Sequence, residues 1–264
     1  MHPDQEETYG RARWPTRPVG DCQLVASTVR ERLGRHEPLF GAWTTSSDVA
    51  MVGAVASAGY DYVVIDLQHG AATEAFLPGM CASIALTGAA PIVRTRSGTF
   101  ADVGRALDLG AHGVIVPNVD DDAAAAAVVR SVRYPPEGDR SLGRLHADNT
   151  DPLCFIMVES RNAVQALPRT LGVPGIDGIY VGPADLSLSL GCNPTHADRT
   201  FDSAIAYLLD ECRAGNVPVG VHDPMGTEVD RYVGAGCQLV NVFSDMPALT
   251  RLAQEARQRA RGSG

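Results

Sequence analysis

Short apolar runs rich in valine and isoleucine alternate along the chain with longer segments in which apolar positions recur at helical spacing. Runs of the first kind predict strands and segments of the second kind predict helices, so this alternation favours parallel strands joined by helical crossovers. The predicted strands span residues 38–45, 61–68, 90–96, 112–119, 154–160, 175–182, 217–223 and 238–244. The predicted helices span residues 47–58, 73–87, 99–109, 120–132, 161–167, 200–214, 226–234 and 247–261.

Eight strand–helix units in a chain of 264 residues match a closed (β/α)8 barrel. An open doubly wound sheet is the alternative fold, but no G-x-G-x-x-G opens a first helix, which removes the main support for its dinucleotide-binding version. We therefore predict an α/β fold with a single TIM barrel over residues 21–264, preceded by a flexible, proline- and glycine-rich extension over residues 1–20. A glycine follows four of the predicted helices, where a left-handed C-cap is expected: Gly59, Gly110, Gly215 and Gly236.

Charge and composition exclude several classes of partner. The net charge of −9 and the absence of an arginine- or lysine-rich run mean that a nucleic acid would be repelled. No stretch of about 18 apolar residues is present, so no membrane span is predicted, and residues 1–20 contain no apolar secretion signal. Six cysteines occur without a C-x-x-C pair, which favours the reducing cytoplasm.

Polar residues cluster where the predicted strands end, which in a TIM barrel is the end that carries the chemistry. The residues at these positions are Asp66, Gln68, His69, Arg94, Arg96, Asn118, Glu159, Asp185, His222 and Asp223. We expect them to line one shared pocket.

Two carboxylates of this group, Glu159 and Asp185, follow neighbouring strands. Two anions in one cavity repel each other unless a cation lies between them, and oxygen ligands completed by water suit Mg²⁺ or Mn²⁺ better than Zn²⁺. The alternative is that each carboxylate pairs with an arginine. The segment "GPADLS" (182–187) adds a tight turn before a helix, whose backbone N–H groups can receive an anionic ligand oxygen.

Three further side chains of this group are candidates for catalysis. The fork of Arg94 suits bidentate binding of a carboxylate, although a structural ion pair is equally compatible with the pattern. His69 is a candidate general base because its ordinary pKa lies near neutrality; its alternative is a structural histidine. Asp66 is either an orienting acid or the cap of the next helix.

Seven motifs in order resemble one known family: "GAW", "IDLQHG", "PIVR", "LDLGAHGVIVPNV", "RYPPEGDRSLG", "MVES" and "GIYVGPADLS". Over about residues 35–260 the chain resembles the HpcH/HpaI family of metal-dependent class II pyruvate aldolases, which includes 4-hydroxy-2-oxoheptanedioate and 2-dehydro-3-deoxyglucarate aldolases. The resemblance implies a divalent metal, Mg²⁺, Mn²⁺ or Co²⁺, and a 4-hydroxy-2-oxo acid that is cleaved to pyruvate and an aldehyde.

Roles for individual residues also follow from the resemblance. It implies that Glu159 and Asp185 hold the metal, that Arg94 binds the pyruvate carboxylate, and that His69 is the base. It further implies that Asp108 partners His69, that Asp66 lies near the pocket entrance, and that the backbone of Gly182 and Ala184 lines the pyruvate site. A Schiff-base route is not expected, because all 22 lysine and arginine positions are arginine.

Departures from the family pattern concern the acceptor side of the reaction. Gln68 stands where the family has glutamate, Ser141 where it has glycine, and the segment 143–154 is about a dozen residues shorter than the family's loop, which helps to shape the aldehyde site. Two other outcomes therefore stay open: a relative that uses the enolate differently, as a decarboxylating carbon–carbon bond-forming synthase or a CoA-thioester lyase, or a non-catalytic barrel. The family also implies a homohexamer, a trimer of dimers that exchanges the C-terminal helix.

Overall fold

Eight parallel strands close into a barrel in the order β1 to β8. The computed structural model describes residues 22–142, 151–192 and 198–262, so the predicted extension and residues 143–150 lie outside the described chain. The strands are β1 Leu39–Thr44, β2 Tyr62–Asp66, β3 Ala90–Arg94, β4 Gly113–Val116, β5 Leu153–Val158, β6 Gly178–Val181, β7 Val219–His222 and β8 Leu239–Ser244. The (β/α)8 prediction is confirmed, and each observed strand overlaps its predicted range.

The described chain contains ten helices that surround the barrel. They are α1 Cys22–Gly34, α2 Val49–Ala56, α3 Leu77–Ala85, α4 Phe100–Asp108, α5 Asp122–Val132, α6 Arg161–Thr170, α7 Pro183–Leu190, α8 Arg199–Ala214, α9 Val229–Ala235 and α10 Asp245–Gly262. Helix α1 was not predicted, and α7 was expected only as the start of a helix in "GPADLS", without bounds. Within the described residues, none of the helices is long and apolar enough to cross a membrane.

Alternation along the strands divides the apolar side chains into two cores. One set points outward against the helices, and the other fills the barrel. Inside the barrel a Cβ at Gly41 would lie 2.2 Å from the ring of Tyr62, and one at Gly220 would lie 2.5 Å from the ring of Tyr180. Glycine at these two inward positions therefore makes room for two large aromatic rings, and the barrel is a packed core with no pore.

Helix α1 seals the end of the barrel where the strands begin. Val29 and Leu33 are buried against the apolar interior. Arg30 Nε donates to Asp177 Oδ1 at 2.7 Å and its Nη1 donates to Asp151 Oδ2 at 2.7 Å, in the connections that lead into β5 and β6. The barrel interior is therefore covered by α1 at this end, and its polar inward-facing residues lie at the opposite end, where the strands finish.

Glycine caps end three of the four helices for which they were predicted. Gly59, Gly110 and Gly236 have φ values of 92°, 106° and 104°, in the left-handed region. Gly215 has φ −81°, and the left-handed position after α8 is taken instead by Asn216, at φ 53°. Asparagine is among the residues that tolerate this conformation best, so the turn is shifted by one residue.

Candidate active site

A ring of inward-facing polar side chains lies at the end of the barrel where the strands finish. Asp66 ends β2, Arg94 ends β3, Glu159 follows β5 and His222 ends β7. Asp66 and Arg94 are also register partners across the β2–β3 pair, so their side chains emerge side by side on the same face. The strand-end rule therefore brings together most of the predicted residues, as a TIM barrel requires.

Asp66 is the best connected of these residues and is only 1% exposed. Its carboxylate accepts hydrogen bonds from Arg94 Nε at 2.9 Å and from Arg94 Nη2, from Trp43 Nε1 at 3.2 Å, and from the backbone N–H groups of Gln68 and His69 at 3.0 and 3.1 Å. Burial alone would raise the pKa of Asp66, but the hydrogen bonds and charge of Arg94 outweigh it and hold the pKa below its ordinary value. Asp66 is thus a buried acceptor that holds the guanidinium of Arg94 and the start of the connection after β2, and its place near the pocket entrance stays a prediction.

The guanidinium of Arg94 is largely committed to that partner. Nε and Nη2 of Arg94, which were predicted to bind a ligand carboxylate, both donate to the carboxylate of Asp66. No hydrogen bond from Nη1 of Arg94 is recorded within the described chain. A ligand carboxylate would therefore bind the remaining N–H groups of Arg94. Nε and Nη2 form an ion pair with Asp66, as in the structural alternative given for Arg94 in the sequence analysis.

Trp43, near the end of β1, contacts both Arg94 and His222. Its ring centroid lies 5.0 Å from Arg94 Cζ and 4.5 Å from the imidazole of His222, which meets it edge to face. Burial and, to a smaller extent, the positive charge of Arg94 lower the pKa of His222 to about 4, although the negative charges of Asp66 and Asp223 oppose this change. His222 is consequently neutral at physiological pH, and its Nδ1 is buried without a hydrogen-bond partner among the described residues.

Glu159 and Asp185 follow the neighbouring strands β5 and β6 at the mouth of the barrel. Glu159 is 6% exposed, and its Oε1 accepts the backbone N–H of Asn118 at 2.7 Å. Asp185 lies in the first turn of α7 and is exposed, so only one of the two carboxylates is buried. Burial raises the pKa of Glu159 and the negative charge of Asp185 raises it further, despite the N–H of Asn118 and the positive charges of Arg94 and His69. The two carboxylates are therefore close enough to repel each other.

The space beside Glu159 fits a small cation. A Cβ at Gly182 would lie 3.0 Å from Glu159 Oε2 and 3.1 Å from Glu159 Cβ, so glycine keeps the side of the carboxylate open. No group of three or more His, Cys, Asp or Glu side chains within the described residues is arranged to hold a metal. A cation at Glu159 and Asp185 would thus take its remaining ligands from water and substrate, which is how Mg²⁺ and Mn²⁺ are commonly held. The adjoining N–H groups of Ala184 and Asp185 belong to the first turn of α7, where helices leave donors without internal acceptors.

His69 lies on the connection after β2 with its side chain exposed. It is close enough to Glu159 for its charge to lower the pKa of that carboxyl. The neighbouring Gln68, which replaces the family's glutamate, has a buried Oε1 without a hydrogen-bond partner among the described residues. An imidazole beside the carboxylate pair is well placed to exchange a proton with a bound ligand.

Asp108 does not join this group within one chain. It is the last residue of α4, a helix that runs from the finishing end of β3 back to the starting end of β4, so Asp108 and His69 belong to opposite ends of the barrel. There the carboxylate of Asp108 accepts a hydrogen bond from Arg140 Nη2 at 3.2 Å. The predicted contact with His69 therefore requires a second chain.

The shortened segment 143–154 is attached at that same end, because it connects α5 to β5. Asp151 contacts Arg30 and Arg133 there. Residues 143–150 themselves lie outside the described chain.

Three other polar residues at strand ends have structural partners. Arg96 is exposed and bridges Glu74 and Asp102 at 2.9 and 2.8 Å. Asn118 contributes its backbone N–H to Glu159, and Asp223 Oδ2 accepts the N–H of Glu228 at 2.8 Å.

Sequence reasoning missed two residues of the site region. Trp43 was noticed only as part of a motif, although it lies two residues before the end of a predicted strand. Asp245 follows the eighth predicted strand directly, and the strand-end rule that selected Asp66 and Asp223 would have found it. Both signals were present in the chain.

The motifs and the barrel agree with comparisons to known proteins. The sequence profile described as HpcH/HpaI aldolase/citrate lyase matches residues 39–245. The chain belongs to the HpcH/HpaI family. It is 31% identical over 238 residues to a 2-dehydro-3,6-dideoxy-6-sulfogluconate aldolase of Pseudomonas putida, covering 84% of this chain and 92% of the relative. It is 30% identical over 257 residues to a hydroxypyruvate/pyruvate aldolase of Pseudomonas aeruginosa, covering 90% of this chain and 94% of the relative.

A solved structure from the same family has a similar barrel. The crystal structure of an HpcH/HpaI aldolase/citrate lyase family protein from Burkholderia cenocepacia J2315 superposes with a TM-score of 0.82 at 30% identity, covering 89% of this chain and 99% of that one. Membership of the HpcH/HpaI family therefore rests on sequence and fold together.

Proposed function

We propose that this member of the HpcH/HpaI family is a divalent-metal-dependent aldolase, a carbon–carbon lyase that cleaves or forms a 4-hydroxy-2-oxo acid through a pyruvate enolate. The observation that carries the proposal is the placement of two carboxylates after neighbouring strands, Glu159 after β5 and Asp185 in the first turn of α7, next to the open space that Gly182 leaves beside Glu159. A carboxylate pair of this kind is stabilised by a divalent cation. The aldolases among the relatives support the same reaction class.

Each residue of the site then has one task. Glu159 and Asp185 would hold the cation, which when bound supplies Lewis acidity toward a 2-oxo acid. The outer N–H groups of Arg94 and the backbone N–H groups at the start of α7 would orient the carboxylate of the substrate. In cleavage His69 would take the proton from the hydroxyl at C4 while the C3–C4 bond breaks and the aldehyde leaves, and it would give that proton to C3 of the enolate to release pyruvate. With pyruvate alone, the same proton transfer at C3 would appear as methyl exchange.

Substrate and metal are chosen on the chemistry of these groups. Pyruvate and hydroxypyruvate are the first nucleophiles to test, because a relative is named for both. Mg²⁺ and Mn²⁺ are the first ions to test, with Co²⁺ third, because the two proposed ligands are carboxylates.

The test uses pyruvate alone, so the aldehyde need not be known. Metal-supplemented protein is incubated with pyruvate in D₂O, and exchange of the methyl protons is followed by NMR. We expect exchange that EDTA abolishes and that Glu159→Ala loses together with metal binding. Glu37→Ala is the matched control, because Glu37 pairs with Arg32 and Arg35 before β1, away from the mouth. Absence of exchange with all three metals would refute the proposed function and favour a non-catalytic barrel.

We also propose that the enzyme is a homo-oligomer, a hexamer built as a trimer of dimers. Helix α10 supports this, because Met246, Leu249 and Leu252 are 48%, 52% and 54% exposed at helical spacing. Oligomerisation would also allow Asp108 of one chain to approach His69 of another. Mixing inactive His69→Ala and Asp108→Ala proteins after dissociation should then restore activity, because some sites receive both native residues; no recovery would contradict the pairing.

The cytoplasm remains our proposed location. The described cysteines Cys81, Cys154, Cys192, Cys212 and Cys237 are all buried as free thiols, as a reducing compartment favours.

A further inference from the structure

A buried carboxylate outside the catalytic group holds the connection between β1 and α2. Asp245, the first residue of α10, is 2% exposed. It accepts hydrogen bonds from Thr44 Oγ1 at 2.7 Å, from Thr45 N at 3.0 Å and Oγ1 at 2.9 Å, and from Ser46 N at 3.0 Å. No arginine or histidine forms an ion pair with it within the described chain, so its charge is balanced by neutral donors alone.

The anchored segment in turn holds the connection that carries His69. The carbonyl oxygen of Thr45 accepts the backbone N–H of Ala71 at 2.7 Å, two residues beyond His69. Between them, a Cβ at Gly70 would lie 2.1 Å from Asp66 O and 3.1 Å from Thr45 O. The backbone at Gly70 is therefore pressed against both neighbouring segments, and only glycine fits there.

His69 is thus fixed from two sides. On one side its own N–H donates to Asp66 Oδ1. On the other side the chain of contacts runs from Asp245 to Thr45 and from Thr45 to Ala71. We propose that Asp245 is a positioning residue that sets the location of the His69 imidazole over the mouth of the barrel; the catalytic part of this inference rests on the proposed function of His69.

The charge of Asp245 is maintained at neutral pH. Burial would raise the pKa of this carboxyl, but hydrogen bonds from Thr44, Thr45 and Ser46 outweigh burial and hold the pKa below its ordinary value. A charged acceptor that receives several N–H and O–H groups makes stronger hydrogen bonds than a neutral one. The anchor is therefore stiff, and a base displaced by about 1 Å can lose two orders of magnitude in rate.

The test combines a double-mutant cycle with amide hydrogen exchange. Asp245→Ala is expected to slow methyl deuteration at saturating pyruvate at least tenfold while changing KM less than about threefold, because Arg94 is untouched. Asp245→Asn should lose less, since its remaining carbonyl oxygen can still accept from Thr45. In the His69→Ala background, Asp245→Ala should cause no further loss. Mass spectrometry should show faster amide exchange over residues 67–72 in Asp245→Ala.

Asp177→Ala is the matched control. Asp177 is a partly buried acceptor, with bonds from Cys154 N at 2.8 Å and Arg30 Nε at 2.7 Å, but it lies at the opposite end of the barrel. This variant should alter amide exchange near residue 154 and leave the rate of methyl deuteration within about twofold of wild type when both proteins are folded.

Three results would overturn the inference: an equal further loss when Asp245→Ala is added to His69→Ala, unchanged amide exchange over residues 67–72, or an equal rate loss in Asp177→Ala. Failure of the proposed function is recognised separately, because wild-type protein would then not deuterate pyruvate or His69→Ala would be as fast as wild type. In that case the role in catalysis is refuted, and amide exchange alone decides whether Asp245 holds the connection.

Discussion

Removal of Asp66 tests how much its buried ion pair with Arg94 contributes to the free energy of unfolding. In Asp66→Ala the guanidinium of Arg94, 9% exposed, loses both hydrogen bonds of its fork. The N–H groups of Gln68 and His69 lose their acceptor as well. Breaking a buried ion pair by deleting one partner typically costs about 3–5 kcal/mol, mainly because a charge is left buried and unpaired. We expect a loss near the upper end of this range.

Urea unfolding measures this loss, provided that the m-value stays unchanged. The double variant Asp66→Ala/Arg94→Met is the informative comparison, because it removes the orphaned charge and keeps most of the volume. It should be more stable than Asp66→Ala. Asp122→Ala, which breaks an exposed pair with Arg169, is the control and should leave the urea midpoint nearly unchanged. A loss below about 1 kcal/mol in Asp66→Ala, or a double variant at least as unstable as the single one, would refute the reasoning.

Three further predictions concern pH, packing and metal affinity. The pKa of His222 is lowered from 6.5 to about 4, so on acidification the unfolded chain binds a proton at this residue before the folded chain does. The free energy of unfolding should therefore fall by up to about 3 kcal/mol as the pH drops from 6.5 to 4. A His222→Phe variant with an equally steep loss would contradict this. Gly182→Ala places a methyl group 3.0 Å from Glu159 Oε2 and should weaken Mn²⁺ binding at least tenfold by calorimetry, whereas Gly104→Ala, with nothing within 4 Å, should leave it unchanged. The pKa of Glu159 is raised above its ordinary 4.5, so Mn²⁺ affinity should decline as the pH falls through that raised value. Asp185→Asn removes a negative charge beside Glu159 and should move this decline to lower pH. An unchanged midpoint would count against the carboxylate pair.

The strands were predictable because buried parallel strands are apolar on both faces and therefore stand out as continuous runs. The start of helix α7 was expected at "GPADLS", but its extent was missed because it has only eight residues and begins directly after a strand and a Gly-Pro turn. Helix α1 was missed because it carries polar residues and follows a proline-rich stretch. Both omissions come from weak local signals.

The strand-end rule could select the residues of the site, but it could not assign their partners. Arg94 and Asp66 are 28 residues apart in sequence, and only the β2–β3 register makes them neighbours. The motif around Asp108 matches the family, but α4 runs back toward the end of the barrel where the strands begin. Asp108 therefore lies away from the residues at the strand ends. Pairing and direction are properties of the closed sheet that local patterns do not encode.

Helix α1 has a kinetic consequence for the proposed reaction. Because α1 covers the end at which the strands begin, and rings of tyrosine and tryptophan fill the interior, ligands of the proposed site enter through the opening at the end where the strands finish. Both products of cleavage must therefore depart through the opening by which the oxo acid arrived. The two products of the proposed reaction therefore leave one after the other, and an aldehyde that stays in this opening delays the release of pyruvate.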